Sequence, residues 1–233
     1  MKKVLITGAS RGFGLELLKT YLKNDWMVFP LIRDPDSIKE IQAIYEDHCF
    51  PITGDVTDDH IIDRIQNTLK DKTDALDLLI NNAGNIRKVY GISNATANDL
   101  LDHFDVHCAG AFRCVKATLP FLQNASSPVV LNITSRRGSK TLTSTGKYKI
   151  LYGYQIAKAA QNMLTVCLQQ ELKQHNIRAF SVHPGKLKTS VAPPDADTLP
   201  ETAAQKLFEW AQNLDANLNN KCYDLMENST IEW

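Results

Sequence analysis

Apolar residues recur along this chain in two alternating rhythms. Short unbroken runs rich in β-branched residues read as strands buried on both faces: Val4-Leu5-Ile6, Trp26 to Ile32, Cys49 to Thr53, Leu76 to Ile80, Val129 to Ile133 and Ile177 to Val182. Between them lie helical stretches: Leu15 to Lys23, Pro35 to Tyr45, Asp58 to Lys70, Asn98 to Leu119 and Ile150 to His175. Pro200 to Leu214 gives a last helix, and Cys222 to Met226 a candidate final strand. Within Asn98 to Leu119, the face bearing Leu101, Phe104, Cys108, Ala111, Phe112, Val115 and Leu119 is expected to be buried, which makes Cys108 a packing residue. Steady alternation of strand and helix predicts a doubly wound α/β fold, a parallel sheet with helices on both faces. A length of 233 residues suits one core and one domain over residues 1–233.

Composition narrows the class without naming a chemistry. Lys plus Arg equals Asp plus Glu at 26 each, so no global field favours nucleic acid or a membrane surface. No apolar run reaches about 18 residues. Met1-Lys2-Lys3-Val4 enters the first strand directly, so neither a signal peptide nor a spanning helix is expected. The five cysteines at 49, 108, 114, 167 and 222 are scattered, odd in number and without metal-ligand spacing. No metal is expected, and reduced thiols in the cytoplasm are.

The chemistry starts at the first strand. Thr7-Gly8-Ala9-Ser10-Arg11-Gly12-Phe13-Gly14 joins that strand to a helix through three glycines. Such a turn aims free backbone N–H groups and a positive helix end at one spot, where a pyrophosphate can sit. About 20 residues on, where dinucleotide folds read the adenosine ribose, the second strand ends in Arg33-Asp34. Arg33 and Arg11 together suit a 2′-phosphate, favouring NADP(H) over NAD(H). The other reading gives the ribose to Asp34 and leaves both arginines solvated. Asp55-Val56-Thr57 follows the third strand at the adenine end, and the fourth closes in Asn81-Asn82-Ala83-Gly84, small residues that let the chain pass close to a nucleotide. Ser135 stands at the end of the fifth strand, while Tyr154 and Lys158 share one helix face. A phenol titrates near ~10 and an adjacent ammonium lowers that value, so Tyr154 with Lys158 makes a plausible acid and Ser135 a donor to a carbonyl oxygen.

These motifs, together with Pro184-Gly185-x3-Thr189, stand in the order found in short-chain dehydrogenases/reductases, which the chain resembles over residues 4 to 189. Tyr152-Gly153-Tyr154, the short segment after Pro184-Gly185 and the ending Ile231-Glu232-Trp233 resemble the sniffer-like and C-factor-like carbonyl reductases. The resemblance implies a Rossmann fold with a seven-stranded parallel sheet and NADP-linked interconversion of a carbonyl and an alcohol by Ser135, Tyr154 and Lys158. It implies a cofactor-binding set of Gly8, Ser10, Arg11, Gly12, Phe13, Gly14, Arg33, Asp55, Val56, Asn82, Ala83, Gly84, Tyr154, Lys158, Pro184, Gly185, Leu187 and Thr189, with Lys158 on the nicotinamide ribose and Thr189 on the carboxamide. Residues 185–215 are expected to cover a small-molecule substrate. The two long helices form the oligomer interface in many members, so a monomer and a homo-dimer or tetramer both stay open. A regulatory NADP(H)-binding protein of C-factor type with little turnover is the alternative function.

Two positions depart from the family pattern. His107 stands where the family places an Asn that holds a water beside the catalytic lysine. Either His107 packs with one hydrogen bond or it takes over the proton relay, in which case the rate is expected to fall below about pH 6.5. The segment between Ser135 and Tyr154 is also long and carries Arg136, Arg137, Lys140, Lys147 and Lys149 without an acid. With Lys186 and Lys188 opposite, these residues form either a solvated basic loop or a cationic mouth for a carboxylate- or phosphate-bearing substrate.

Overall fold

A computed structural model describes residues 1–190, 192, 194–214 and 221–233. Pro193, expected to shape the segment before the last helix, lies outside the described residues, as does position 215 at the end of the expected substrate cover.

The strand-forming runs assemble into one sheet. Its parallel strands are β1 (Lys3–Thr7), β2 (Met27–Ile32), β3 (Ile52–Thr53), β4 (Leu78–Asn81), β5 (Val129–Ile133), β6 (Arg178–His183) and β7 (Cys222–Asp224), with β8 (Ser229–Ile231) closing one edge. The order is β3-β2-β1-β4-β5-β6-β7-β8. Seven strands are parallel, as expected; the eighth is an addition, antiparallel to β7 with Cys222 opposite Ile231 and Asp224 opposite Ser229. A four-residue connection allows only a hairpin there, because a parallel return needs a crossover.

Both faces of the sheet are covered, which explains why the strands read as continuous apolar runs. Val4 and Ile6 point to one side, where they meet Leu17, Leu18 and Tyr21 of α1 (Gly12–Lys23) and Leu207 of α8 (Pro200–Gln212). Leu5 points to the other side, with Ile65 and Leu69 of α3 (Ile61–Lys72), Val115 of α5 (Gly110–Leu122) and Leu168 of α7 (Tyr152–Leu172). The sheet order reverses between β1 and β4, so the carboxyl ends of β1, β4, β5 and β6 open onto a crevice at the topological switch point.

The stretch expected as one helix over Asn98 to Leu119 is broken by chain geometry. α4 (Ala97–Phe104) passes through one π-helical turn, Asp105–Ala109, into α5. That turn shifts the helical register. The buried side carries Asp99, His103, His107, Ala111, Cys114 and Val115, while Leu101, Phe104 and Phe112 of the expected inner face are exposed. Cys108 is half-buried, and burial raises its thiol pKa. All five cysteines are free thiols. Two short helical pieces lie between Ser135 and Tyr154: a 3-10 turn, Arg136–Gly138, and α6 (Lys140–Ser144). Between β2 and β3 the chain forms a 3-10 turn, Pro35–Ile38, and α2 (Lys39–Ile44).

Candidate active site

The glycine turn is built by close approach of backbone. Gly8 has a positive φ of 68°, and a Cβ there would lie 2.9 Å from Ala83 Cα. A Cβ on Gly14 would fall 2.1 Å from Gly8 O, so no larger residue fits where α1 meets the strand. Thr7 Oγ1 accepts from the amides of Asn82 and Ala83 at 3.0 and 2.8 Å, and Asn82 Nδ2 donates to Thr7 O at 2.9 Å and Gly8 O at 3.2 Å. These bonds lock β1 against β4. Helix α1 starts with no side-chain cap on its N-terminal amides and no acid in its first turn. Its unsatisfied N–H groups therefore face the crevice, a donor set that fits a pyrophosphate.

At the far end of the turn, the Arg33 side chain is exposed and lies 3.6 Å from the Asp55 carboxylate. Asp34, the rival for the ribose, faces its own turn and accepts from the Asp36 amide at 3.1 Å. Asp55 is fixed by Thr57, whose amide and hydroxyl donate to it at 3.0 and 2.9 Å.

The catalytic candidates converge from β5 and α7. Lys158 Nζ is buried and donates to Ile133 O at 2.7 Å and Gln161 Oε1 at 3.0 Å. Burial holds its pKa down at about 7. The Tyr154 ring centre lies 5.9 Å from that nitrogen. The Tyr154 phenol has a raised pKa, because burial outweighs the opposing hydrogen bond with Ser135 and the charge of Arg137. The lowered phenol expected from its neighbouring ammonium is thus corrected: burial is the largest influence on this phenol and raises its pKa. Ser135 Oγ also accepts from the Arg137 amide at 3.2 Å.

His107 sits in the π turn against Tyr154, with ring centres 5.4 Å apart and planes at 82°. Its Nε2 is 2.8 Å from Asn85 O, so Nε2 carries the proton and Nδ1 keeps a buried lone pair without a partner among the described residues. His103 stacks on it at 6.2 Å. The Arg87 amide donates to His103 Nε2 at 3.1 Å, which leaves His103 Nδ1–H to donate to Asp99 O at 2.6 Å. Contact between α4 and α7 is possible because residue 153 is glycine: a Cβ there would lie 2.5 Å from Asp99 O. Burial first, and the Lys158 charge second, hold the His107 pKa well below its ordinary value. The expected loss of rate below about pH 6.5 through His107 is therefore corrected: burial and the neighbouring Lys158 disfavour its charged form.

The cationic mouth is smaller than its composition suggests. Arg136 is paired with the buried Asp224 at 2.5 Å and with Glu227 at 3.1 Å, and Lys186 with Asp195 at 2.6 Å. Lys140, Lys149 and Lys188 do not line the crevice, whereas Arg137 and Lys147 do. The crevice has a volume of about 1480 Å³, and every cofactor and catalytic residue named from the sequence lines it, from Gly8 to Thr189. Residues that sequence reasoning passed over line it too: Lys88, Tyr90, Tyr148 and His183. His183 ends β6 directly before Pro184-Gly185, and that position was its only sequence signal.

A family model described as short chain dehydrogenase matches residues 2–199. A benzil reductase ((S)-benzoin forming) of Saccharomyces cerevisiae is 29% identical over 216 residues, covering 89% of this chain and 80% of the relative. The NADPH-bound carbonyl reductase from chicken fatty liver superposes with a TM-score of 0.89 at 27% identity, covering 100% of this chain and 99% of the other. The carbonyl reductase Sniffer of D. melanogaster gives 0.86 at 26% identity and 100% coverage of both chains.

Proposed function

Because this chain belongs to the short-chain dehydrogenase family, we propose that it is an NADPH-dependent reductase of a ketone or aldehyde, with Tyr154 as the general acid. One observation carries the reading: Ser135, Tyr154 and Lys158 line the same crevice as an uncapped helix start behind a glycine turn. The neighbours named as carbonyl reductases support it. Residues Gly8 to Gly14 would hold the pyrophosphate, Asn82 to Gly84 and Thr189 would border the nucleotide, and Lys158 would hold its nicotinamide ribose. Arg11 and Arg33 would take a 2′-phosphate, since the Asp34 carboxylate is turned to the Asp36 amide. When bound, the reduced nicotinamide supplies the hydride.

This chain's own residues handle the oxygen. Ser135 donates a hydrogen bond to the carbonyl oxygen, which polarises it and fixes its position beside Tyr154. Tyr154 gives its proton to that oxygen as negative charge develops, and the raised pKa of the phenol keeps the proton in place until then. A protonated Lys158 next to the resulting phenolate stabilises it, and solvent restores the proton. The same groups in reverse oxidise an alcohol. With no helix among the described residues long and apolar enough to cross a membrane, the cytoplasm is the compartment we propose. Leu101, Phe104 and Phe112 on α4–α5, with Ile156 and Met163 on α7, leave an uncovered apolar face, which favours a homo-oligomer over a monomer.

Tyr154→Phe tests the reading. NADPH binding, followed by fluorescence, is expected to persist while kcat falls by about 10²- to 10⁴-fold. A Tyr154→Phe enzyme as fast as the parent removes the assignment. NADPH binding by the parent without turnover on any carbonyl points instead to a regulatory nucleotide-binding role.

A further inference from the structure

What the substrate carries besides its carbonyl can be read from Arg137, given the reductase reading above. Arg136 is consumed by Asp224 and Glu227, but the half-buried Arg137 has no carboxylate in ion-pair range among the described residues. Its position is nevertheless fixed. The guanidinium stacks on the Tyr148 ring at 4.8 Å and donates one N–H to Lys149 O at 2.9 Å, while the Arg137 amide donates to Ser135 Oγ at 3.2 Å. A guanidinium has five N–H groups, so spending one leaves a complete two-donor edge, the complement of a carboxylate.

The acids lining the crevice pair with other cations: Asp55 with Arg33, Asp102 with Arg87, Asp105 with Arg113 and Asp195 with Lys186. Asp195 also feels the Arg137 charge, from beyond ion-pair range. Lys88 and Lys147 line the same mouth without an ion pair among the described residues, so the local field is positive although the whole chain is neutral. Partial burial of an unpaired cation costs desolvation that an incoming anion offsets. Arg137 is also near the reacting groups: its amide meets Ser135 Oγ at 3.2 Å, and its side chain lines the crevice with Tyr154.

We infer that Arg137 is a specificity-determining residue that pairs in bidentate fashion with a substrate carboxylate, so that the preferred substrate is an oxo acid whose carboxylate lies a few bonds from the carbonyl held by Ser135 and Tyr154. The carbonyl carbon gains a hydride and its oxygen a proton, giving the hydroxy acid; the carboxylate is unchanged.

The test compares kcat/KM of the full chain, with saturating NADPH, for benzoylformate against methyl benzoylformate and for 4-oxopentanoate against its methyl ester. The acid is expected to lead its ester at least tenfold in one pair. Arg137→Gln is expected to lower that acid-to-ester ratio by roughly 10- to 100-fold, chiefly through KM, and Arg137→Lys to restore part of it. A ratio near one in both pairs, or equal losses for acid and ester in Arg137→Gln, overturns the carboxylate site while leaving the reductase intact. A larger preference for dihydroxyacetone phosphate over dihydroxyacetone overturns it in favour of phosphate. If neither acid nor ester is reduced while other ketones or aldehydes are, the carboxylate site alone falls; if no carbonyl is reduced, the reductase reading falls with it.

Discussion

Two buried imidazoles make acid sensitivity a quantitative test of the site's electrostatics. His107 is held neutral by burial and by Lys158, and His183 has its pKa pushed down to about 4, chiefly by burial. In the unfolded chain each takes a proton near pH ~6.5. Below that value the unfolded state binds protons that the folded state refuses, so stability falls as the pH falls. Integrated from pH 7.5 to 5, an imidazole held at about 4, as His183 is, costs about 2 kcal/mol, and His107, whose pKa lies well below its ordinary value, costs up to about as much again, with a limiting slope near 1.4 kcal/mol per pH unit for each. Carboxylates whose pKa is lowered in the fold, such as Asp55, contribute on the same side, but only below the ordinary carboxylate range near ~4.

The perturbation is His107→Asn, and the assay is urea unfolding of the nucleotide-free protein at half-unit steps from pH 7.5 to 5. Whatever the variant's stability at pH 7.5, its loss down to pH 5 is expected to be smaller than the parent's by up to about 2 kcal/mol, because the proton uptake of His107 on unfolding is gone. Over the same range the parent's kcat is expected to show no acid limb assignable to His107. An unchanged pH slope of stability in His107→Asn, or a parent limb near pH 6.5 that the variant loses, refutes the account of a neutral His107.

Arg33→Ala is expected to weaken NADPH by roughly tenfold and leave NADH nearly unaltered, the modest size following from the exposure of that guanidinium; titration of both nucleotides checks it, and equal losses would return the ribose to Asp34. Sedimentation is expected to find an oligomer that Phe112→Asp dissociates, since Phe112 lies in the uncovered apolar face of α4–α5 and α7. A parent that sediments as a monomer removes that assignment.

The sheet was legible because parallel strands covered on both sides need unbroken apolar runs, and Val129–Ile133 is the same five residues in sequence and structure. The glycine turn was legible because Gly14 must clear Gly8 O within the motif itself, although Gly8 answers to Ala83 just past the end of β4. Charge pairing was not. Arg136 meets Asp224 across 88 positions of sequence, on a strand too short for its pattern to stand out, so a basic segment looked more exposed than it is. No periodicity announces that Arg137 stacks on Tyr148 rather than reaching an acid.

The helix before Ser135 misled for a deeper reason. Its apolar stripe is real, yet Leu101, Phe104 and Phe112 face outward, and the side packed on α7 holds Asp99, His103 and His107. A hydrophobic period reports that a face is destined for burial but does not say by what. Here the inward side instead meets its polar needs through specific bonds: Asp99 caps α4 through Thr96, His103 bridges Asp99 O and the Arg87 amide, and His107 reaches Asn85 O. The π turn and Gly153 are the two devices that make this possible, one shifting the register so that both imidazoles face Tyr154, the other letting the helices touch. Gly153→Ala therefore separates packing from chemistry. The added methyl meets Asp99 O and His103 Nδ1 at 2.5 and 2.6 Å, which forces α4 away from α7. Overpacking of that kind costs about 1–3 kcal/mol. If the imidazole pair matters to Tyr154 only through its placement, kcat falls with the stability while NADPH affinity holds, because the glycine turn lies on another part of the crevice. A Gly153→Ala enzyme that loses stability and keeps its full kcat shows that the histidine wall is scaffolding alone.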